Sequence, residues 1–137
     1  MKRALAGTCV LAIAVAGCGG GGQSDKQKIE STVHDYFTAF SSGDFAKACD
    51  ALSESTREDL VKAARVKDCT TALSRGAAKA DVKQFAQQLK NVQVESVQIH
   101  GNTATAKVKA LGSTTSVPMT KEGSDWKVQG PAGEEGD

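Results

Sequence analysis

The chain has no basic block, no motif that declares a reaction, only two histidines, and no apolar run long enough to cross a membrane. Each absence removes a class of function. Its 17 Lys and Arg are interspersed with 16 Asp and Glu along 137 residues, for a formal charge of +1. That balance leaves neither a footprint for nucleic acid nor a polybasic patch for anionic lipid. The longest apolar stretch, Ala4 to Ala16, is interrupted by Gly7 and Thr8 and falls short of the ~20 residues a spanning helix needs. No CxxC pair and no histidine close to a cysteine offers a zinc set, and no metal or other cofactor is expected.

What is present begins with an address. Lys2-Arg3, the apolar stretch and a small-residue end have the order of a secretory signal peptide. Val15-Ala16-Gly17-Cys18 resembles the bacterial lipobox, an aliphatic residue and two small ones before a cysteine. The resemblance implies cleavage of residues 1–17 and diacylglycerol on Cys18, with or without a third acyl chain, as the attachment to a membrane. Two chains hold stably where one holds marginally. The protein is then expected on the extracytoplasmic face of a cell membrane, or at an outer membrane if the source has one. Removal of the leader takes Lys2 and Arg3, leaves 120 residues for one domain, and shifts the formal charge to −1. Residues 18–24, with four glycines, read as a flexible tether. Residues 25–129 form the folded body and 130–137 a frayed acidic tail.

Two cysteines remain in the body, Cys49 and Cys69. In an exported small domain an even pair reads as a disulfide, worth about 3 kcal/mol for a loop of this length in the chain-entropy model. Two buried free thiols are the other arrangement.

The first half of the body has helical periodicity. Ile29, Val33, Phe37 and Phe40, with Tyr36 beside them, share one face of a helix of about sixteen residues, while Lys28, Ser31, Thr32, Asp35 and Thr38 take the other. Ser42-Gly43-Asp44 ends it, and Phe45, Ala48, Cys49 and Leu52 mark a short second helix. Ser55-Thr56-Arg57-Glu58 fits a capping box for a third. Cys69, Ala72 and Leu73 lie on a fourth that Gly76 is expected to stop, and Val82, Phe85, Ala86 and Leu89 mark a fifth.

After Asn91 the period becomes two. Val92 and Val94 alternate with polar residues, and Val97 and Ile99 continue on shifted parity, which predicts a β-bulge near Ser96. Gly101-Asn102 signals a hairpin into a strand with Ala104, Ala106, Val108 and Ala110 on one face. A third strand is predicted near Thr114 to Thr120, where Pro118 calls for an edge or a bulge. Glu122-Gly123-Ser124-Asp125 then turns into a last strand with Trp126 and Val128. Helices followed by an antiparallel meander define an α+β fold, N-terminal helices on a sheet of three to four strands.

This order of elements, with Tyr36-Phe37-x-Ala39, Ser42-Gly43-Asp44-Phe45, Ala48-Cys49-x-x-Leu52, Cys69 and the closing Val117-Pro118-Met119 and Asp125-Trp126-Lys127-Val128 strands, resembles small lipoproteins of the nuclear transport factor 2-like superfamily. The resemblance covers most of the mature chain. It implies a cone in which helices wrap a curved antiparallel sheet and leave a cavity at the open end; a plainer α+β sandwich is the alternative. SnoaL-type cyclases and ketosteroid isomerases of that superfamily place an Asp, a Tyr and often a His in the cavity. Here His34 beside Asp35 reads as a partly exposed helix pair, Tyr36 as a packing residue at the rim, and His100 as a loop residue before a turn. No shared constellation emerges for acid–base work. The expectation is therefore a non-catalytic module that binds a small apolar ligand or an envelope protein, with a homodimer as a further arrangement; a cone-fold acid–base enzyme is the alternative. Phe37, Phe40, Met119 and Trp126 are the candidate pocket lining, each equally suited to filling the core.

Overall fold

The computed structural model describes residues 24–110 and 112–130. The leader, Cys18 and most of the tether lie outside the described residues, as does the tail from 131. Ser24, placed by its sequence at the end of the tether, belongs to the fold. Its hydroxyl accepts from the Gln27 N–H at 3.3 Å and the Gln27 side chain accepts from the Ser24 N–H at 3.2 Å, a reciprocal cap that starts α1, Asp25–Ser42. Gly43 ends it with φ +83°, a left-handed residue that lets the Gly43 and Asp44 N–H groups return to Phe40 and Ala39. Four more helices follow: α2 (Phe45–Asp50), α3 (Glu54–Ala64), α4 (Cys69–Ala77) and α5 (Ala80–Gln88), the last running into a 3₁₀ turn.

Four strands complete the body, β1 (Gln93–His100), β2 (Thr103–Ala110), β3 (Ser113–Glu122) and β4 (Asp125–Val128), antiparallel and in sequence order. The register between β1 and β2 shifts between Val94 and Ser96, so Glu95 is the bulge residue and the predicted irregularity stands. The shift returns Val97 to the same face as Val94, opposite Ala106 and Val108. In the turns at Gly101-Asn102 and Gly123-Ser124 only the glycine has positive φ, the pattern of type II′ hairpins.

One face of the sheet presents Ala104, Ala106, Val108, Val117, Met119, Trp126 and Val128 to the core, where they meet Ile29 and Val33 of α1. Because α1 touches both β1 and β4, the outer strands of the sheet, the sheet curves around it. This is the expected α+β cone. Small alanines on β2 let the helix approach closely where larger side chains would hold it off.

Cys49 and Cys69 are joined, with Cα atoms 6.1 Å apart, and tie α2 to the start of α4. Several local expectations change in the folded chain. The third helix is capped by Ser53, not Ser55: the Ser53 hydroxyl accepts from the Thr56 N–H, and the helix begins at Glu54. The cause is tertiary, since the Ser53 N–H donates to the Val128 carbonyl at 2.8 Å and the Val128 N–H to the Ala51 carbonyl at 2.8 Å, pinning the chain against β4 before the helix can start. Glu122, from the β3–β4 corner, supplies a second acceptor to the Glu54 N–H at 3.0 Å. Gly76 does not stop α4, which continues to Ala77. Pro118 lies in an inner strand opposite Thr105. Its carbonyl accepts from the Gln129 N–H just past the end of β4, so the missing donor of its ring points to the side where the neighbouring strand has given out. Phe85 is 48 % exposed, because α5 turns Ala86 and Leu89 inward and leaves Phe85 at the margin of that stripe.

Candidate functional site

The four aromatic and sulfur side chains suggested as a pocket wall do not share one cavity. Met119 is 0 % and Trp126 2 % exposed, both inside the core cluster with Ile29, Val33 and Leu52. The Trp126 indole N–H donates to Asp25 Oδ1 at 3.1 Å, and the Lys121 ammonium lies 5.7 Å from the ring centroid. Trp126 thus fastens the first turn of α1 to the sheet. Phe37 and Phe40 are half-buried against the same core from the far half of α1. Tyr36 meets Phe37 edge-on at 5.2 Å and stacks on Phe40 at 6.3 Å, and Phe40 meets Phe45 of α2 edge-on at 5.9 Å. Such contacts orient the rings against one another.

Beside this aromatic row the helices separate. A groove of about 400 Å³ runs between the C-terminal end of α1, the start of α2 and the α4–α5 pair. Phe40 and Phe45 form one side; Ala77, Ala78 and Ala86 form the other. The alanines create the space, because methyl groups facing two phenyl rings leave unfilled the volume that larger side chains would occupy. Ser41, Ser42, Ser74, Lys83 and Gln87 supply the polar lining. The Ser41 and Ser42 hydroxyls donate to the Thr38 carbonyl at 3.0 and 2.8 Å, so toward a ligand they are acceptors. Lys83 and Gln87, one turn apart on α5, bring donors. An apolar floor with a few polar groups at its margin is the usual make-up of a small-molecule site, and the volume falls within the roughly 300–1,000 Å³ such sites occupy. The disulfide ties the helices that carry two of these walls: Cys49 lies one turn after Phe45 on α2, and Cys69 opens α4.

Of these residues the sequence pattern suggested only Phe40. Phe45 belongs in the sequence to the apolar repeat of the second helix, and the α4 and α5 residues carry no signal beyond helical periodicity. The small-residue run Gly76-Ala77-Ala78 is the feature from which an inter-helix gap could have been suspected.

The titratable groups weighed for acid–base chemistry are dispersed. His34 and Asp35 are 60 % and 58 % exposed side chains on α1, with His34 Nδ1 4.0 Å from Asp35 Oδ1. His100, expected in a loop, ends β1 and lines a cavity of about 360 Å³ with Thr105 and Ser116. Burial raises the pKa of the Tyr36 phenol above its ordinary value. Among the described residues no group of three or more His, Cys, Asp or Glu could hold a metal ion, and no helix is long and apolar enough to cross a membrane.

No curated protein and no solved structure matches the chain. A protein family described as "Putative lumazine-binding" matches residues 24–116, from the cap of α1 to the middle of β3, so every residue that lines the α1–α5 groove falls within the matched span. The chain belongs to this family, one of the SnoaL/nuclear transport factor 2-like group.

Proposed function

We propose that the domain is a non-catalytic binding module that takes a small, planar heteroaromatic molecule in the groove between α1, α2 and the α4–α5 pair, and that lipid on Cys18 holds it at the membrane surface. The groove carries this reading: two phenylalanines and three alanines line about 400 Å³ together with hydroxyl, ammonium and amide groups. A flat heteroaromatic ring with exocyclic carbonyls fits that chemistry. Its faces contact the phenyl and methyl groups, while Lys83 and Gln87 donate to its oxygens and the serine hydroxyls accept from its ring N–H groups. The family description supports the same class of ligand, since lumazine is such a molecule. Hydroxyls, an amide and a lysine orient a ligand; proton transfer to carbon would require a base and an acid converging on it.

Lumazine is fluorescent and serves as its own probe. Titration of the protein into lumazine is expected to give a saturable change in emission. Ala78→Trp, at an exposed position in the groove, should weaken binding at least ten-fold, whereas Ala63→Trp on the exposed side of α3 should leave it unchanged. Absence of saturable binding, or binding indifferent to Ala78→Trp, refutes the assignment. Anchoring is tested separately: Cys18→Ser removes the acceptor sulfur and should release the protein from the membrane fraction. An unchanged fractionation and intact mass would refute the lipid anchor alone.

A further inference from the structure

A second groove, of about 540 Å³, runs along the polar face of α1. Lys28, Ser31, Thr32 and Asp35 fall at i, i+3, i+4 and i+7, one stripe of the helix. In sequence the stripe looks like an ordinary solvated face. The fold walls it in: Lys47 and Asp50 of α2 stand on one side, and Asp125 and Lys127 of β4 on the other. The walls are braced, because the Lys127 ammonium donates to the Asp50 carbonyl oxygen at 2.6 Å and the Lys28 ammonium to the Ser124 carbonyl at 3.4 Å. Trp126 closes the floor with its ring already buried, which leaves no flat aromatic platform for a sugar to stack on.

Three ammonium and three carboxylate groups therefore line one groove. Among the described residues no ion pair joins any two of the six; the one ion pair that involves them links Asp35 outward to His34. The backbone contacts of Lys28 and Lys127 each use one of three ammonium protons, so donors remain on both. A ligand of a single charge would meet as much repulsion as attraction here. A ligand that carries both charges can turn its carboxylate toward an ammonium group and its ammonium toward a carboxylate of the lining.

The geometry points to a second binding site, for a small zwitterion with an ammonium and a carboxylate group, of the kind an unblocked short peptide provides. Its carboxylate would take the spare lysine donors and its ammonium the aspartate oxygens, with the Ser31 and Thr32 hydroxyls available to the peptide groups between. This site is distinct from the α1–α5 groove; the two share no lining residue.

Calorimetric titration with trialanine bearing free termini tests it, beside N-acetyl-trialanine amide, which has the same backbone and no charges. Free trialanine is expected to bind, the blocked peptide to bind at least ten-fold more weakly, and the difference to shrink at high salt. Lys47→Gln and Asp50→Asn, both at exposed positions, should each weaken trialanine binding several-fold while leaving the melting temperature and lumazine binding unchanged. Ala78→Trp should leave trialanine binding intact, so loss of the first site and loss of this one are separable. No heat with trialanine at millimolar concentration, equal binding of the blocked peptide, indifference to both substitutions, or tighter binding of phosphoethanolamine than of trialanine would each overturn the proposal.

Discussion

Replacement of Trp126, the only tryptophan in the chain, tests how the first helix is held to the sheet. The indole is 2 % exposed, packs in the core, and reaches out with its N–H to Asp25 at the start of α1. Trp126→Ala removes a large buried side chain and is expected to cost about 3–5 kcal/mol, a large share of the roughly 5–15 kcal/mol that holds a domain of this size together. Trp126→Phe keeps most of the apolar volume and removes three heavy atoms, among them the donor. At roughly 0.8 kcal/mol for each buried carbon-sized group it should cost about 2 kcal/mol. Urea unfolding followed by far-ultraviolet circular dichroism measures both, since both variants lack the indole fluorophore.

The phenylalanine variant also predicts a pH dependence. The Asp25 carboxyl is held below its ordinary pKa, first by the Trp126 N–H; burial, the next largest effect, opposes this, and the Lys121 and Lys28 ammonium groups lower it further. A carboxyl depressed in the folded state stabilises the fold above its unfolded pKa of about 3.9, and that stabilisation is lost as pH falls through the folded value. Wild type should therefore lose more stability than Trp126→Phe between neutral pH and pH 3, and the gap between the two should narrow. A cost below about 1 kcal/mol for Trp126→Ala would contradict the buried placement of the indole. A gap that stays constant with pH would remove the hydrogen bond to Asp25 from the account.

Two further perturbations probe the frame around the grooves. The double substitution of Cys49 and Cys69 by Ala opens a loop with a sequence separation of 20 residues and should cost about 3 kcal/mol in the chain-entropy model; non-reducing peptide mapping of the native protein should find the linked pair, and two alkylatable thiols would refute it. Ser53→Ala removes both the cap of α3 and the 2.7 Å donor to the Thr56 hydroxyl, which in turn accepts from the Gly130 N–H at 2.8 Å. A loss near the upper end of the roughly 0.5–2 kcal/mol range for helix caps is expected in urea unfolding, whereas Ser55→Ala should cost much less.

Local chemistry was legible wherever the causes lie close together in the chain. The stripe from Ile29 to Phe40, the left-handed stop at Gly43, the bulge between Val94 and Ser96, and both glycine hairpins follow from the spacing of apolar residues and from backbone freedom. The disulfide was legible from an even pair of cysteines in a small domain. Errors arose where a distant group decided a local choice. Ser55 has the better capping sequence, yet Ser53 caps the helix because Val128, far along the chain, holds its N–H. Pro118 suits an edge, yet it sits in an inner strand because β4 ends one residue short of needing its missing donor.

By itself the sequence determined the α+β order and the helical and strand faces, since these depend on residue type and on periods of 3.6 and 2. Tertiary structure alone decided where the openings lie. A groove is a difference between the packing of elements remote in sequence: Phe40 and Phe45 share one with Ala77, Ala78 and Ala86 only because the fold brings α1 and α2 beside α4 and α5. The polar stripe of α1 is likewise a solvated face in sequence, and it becomes the wall of a charged groove where α2 and β4 flank it. Side-chain periodicity says which way a residue points, and the packing of distant elements decides what stands opposite.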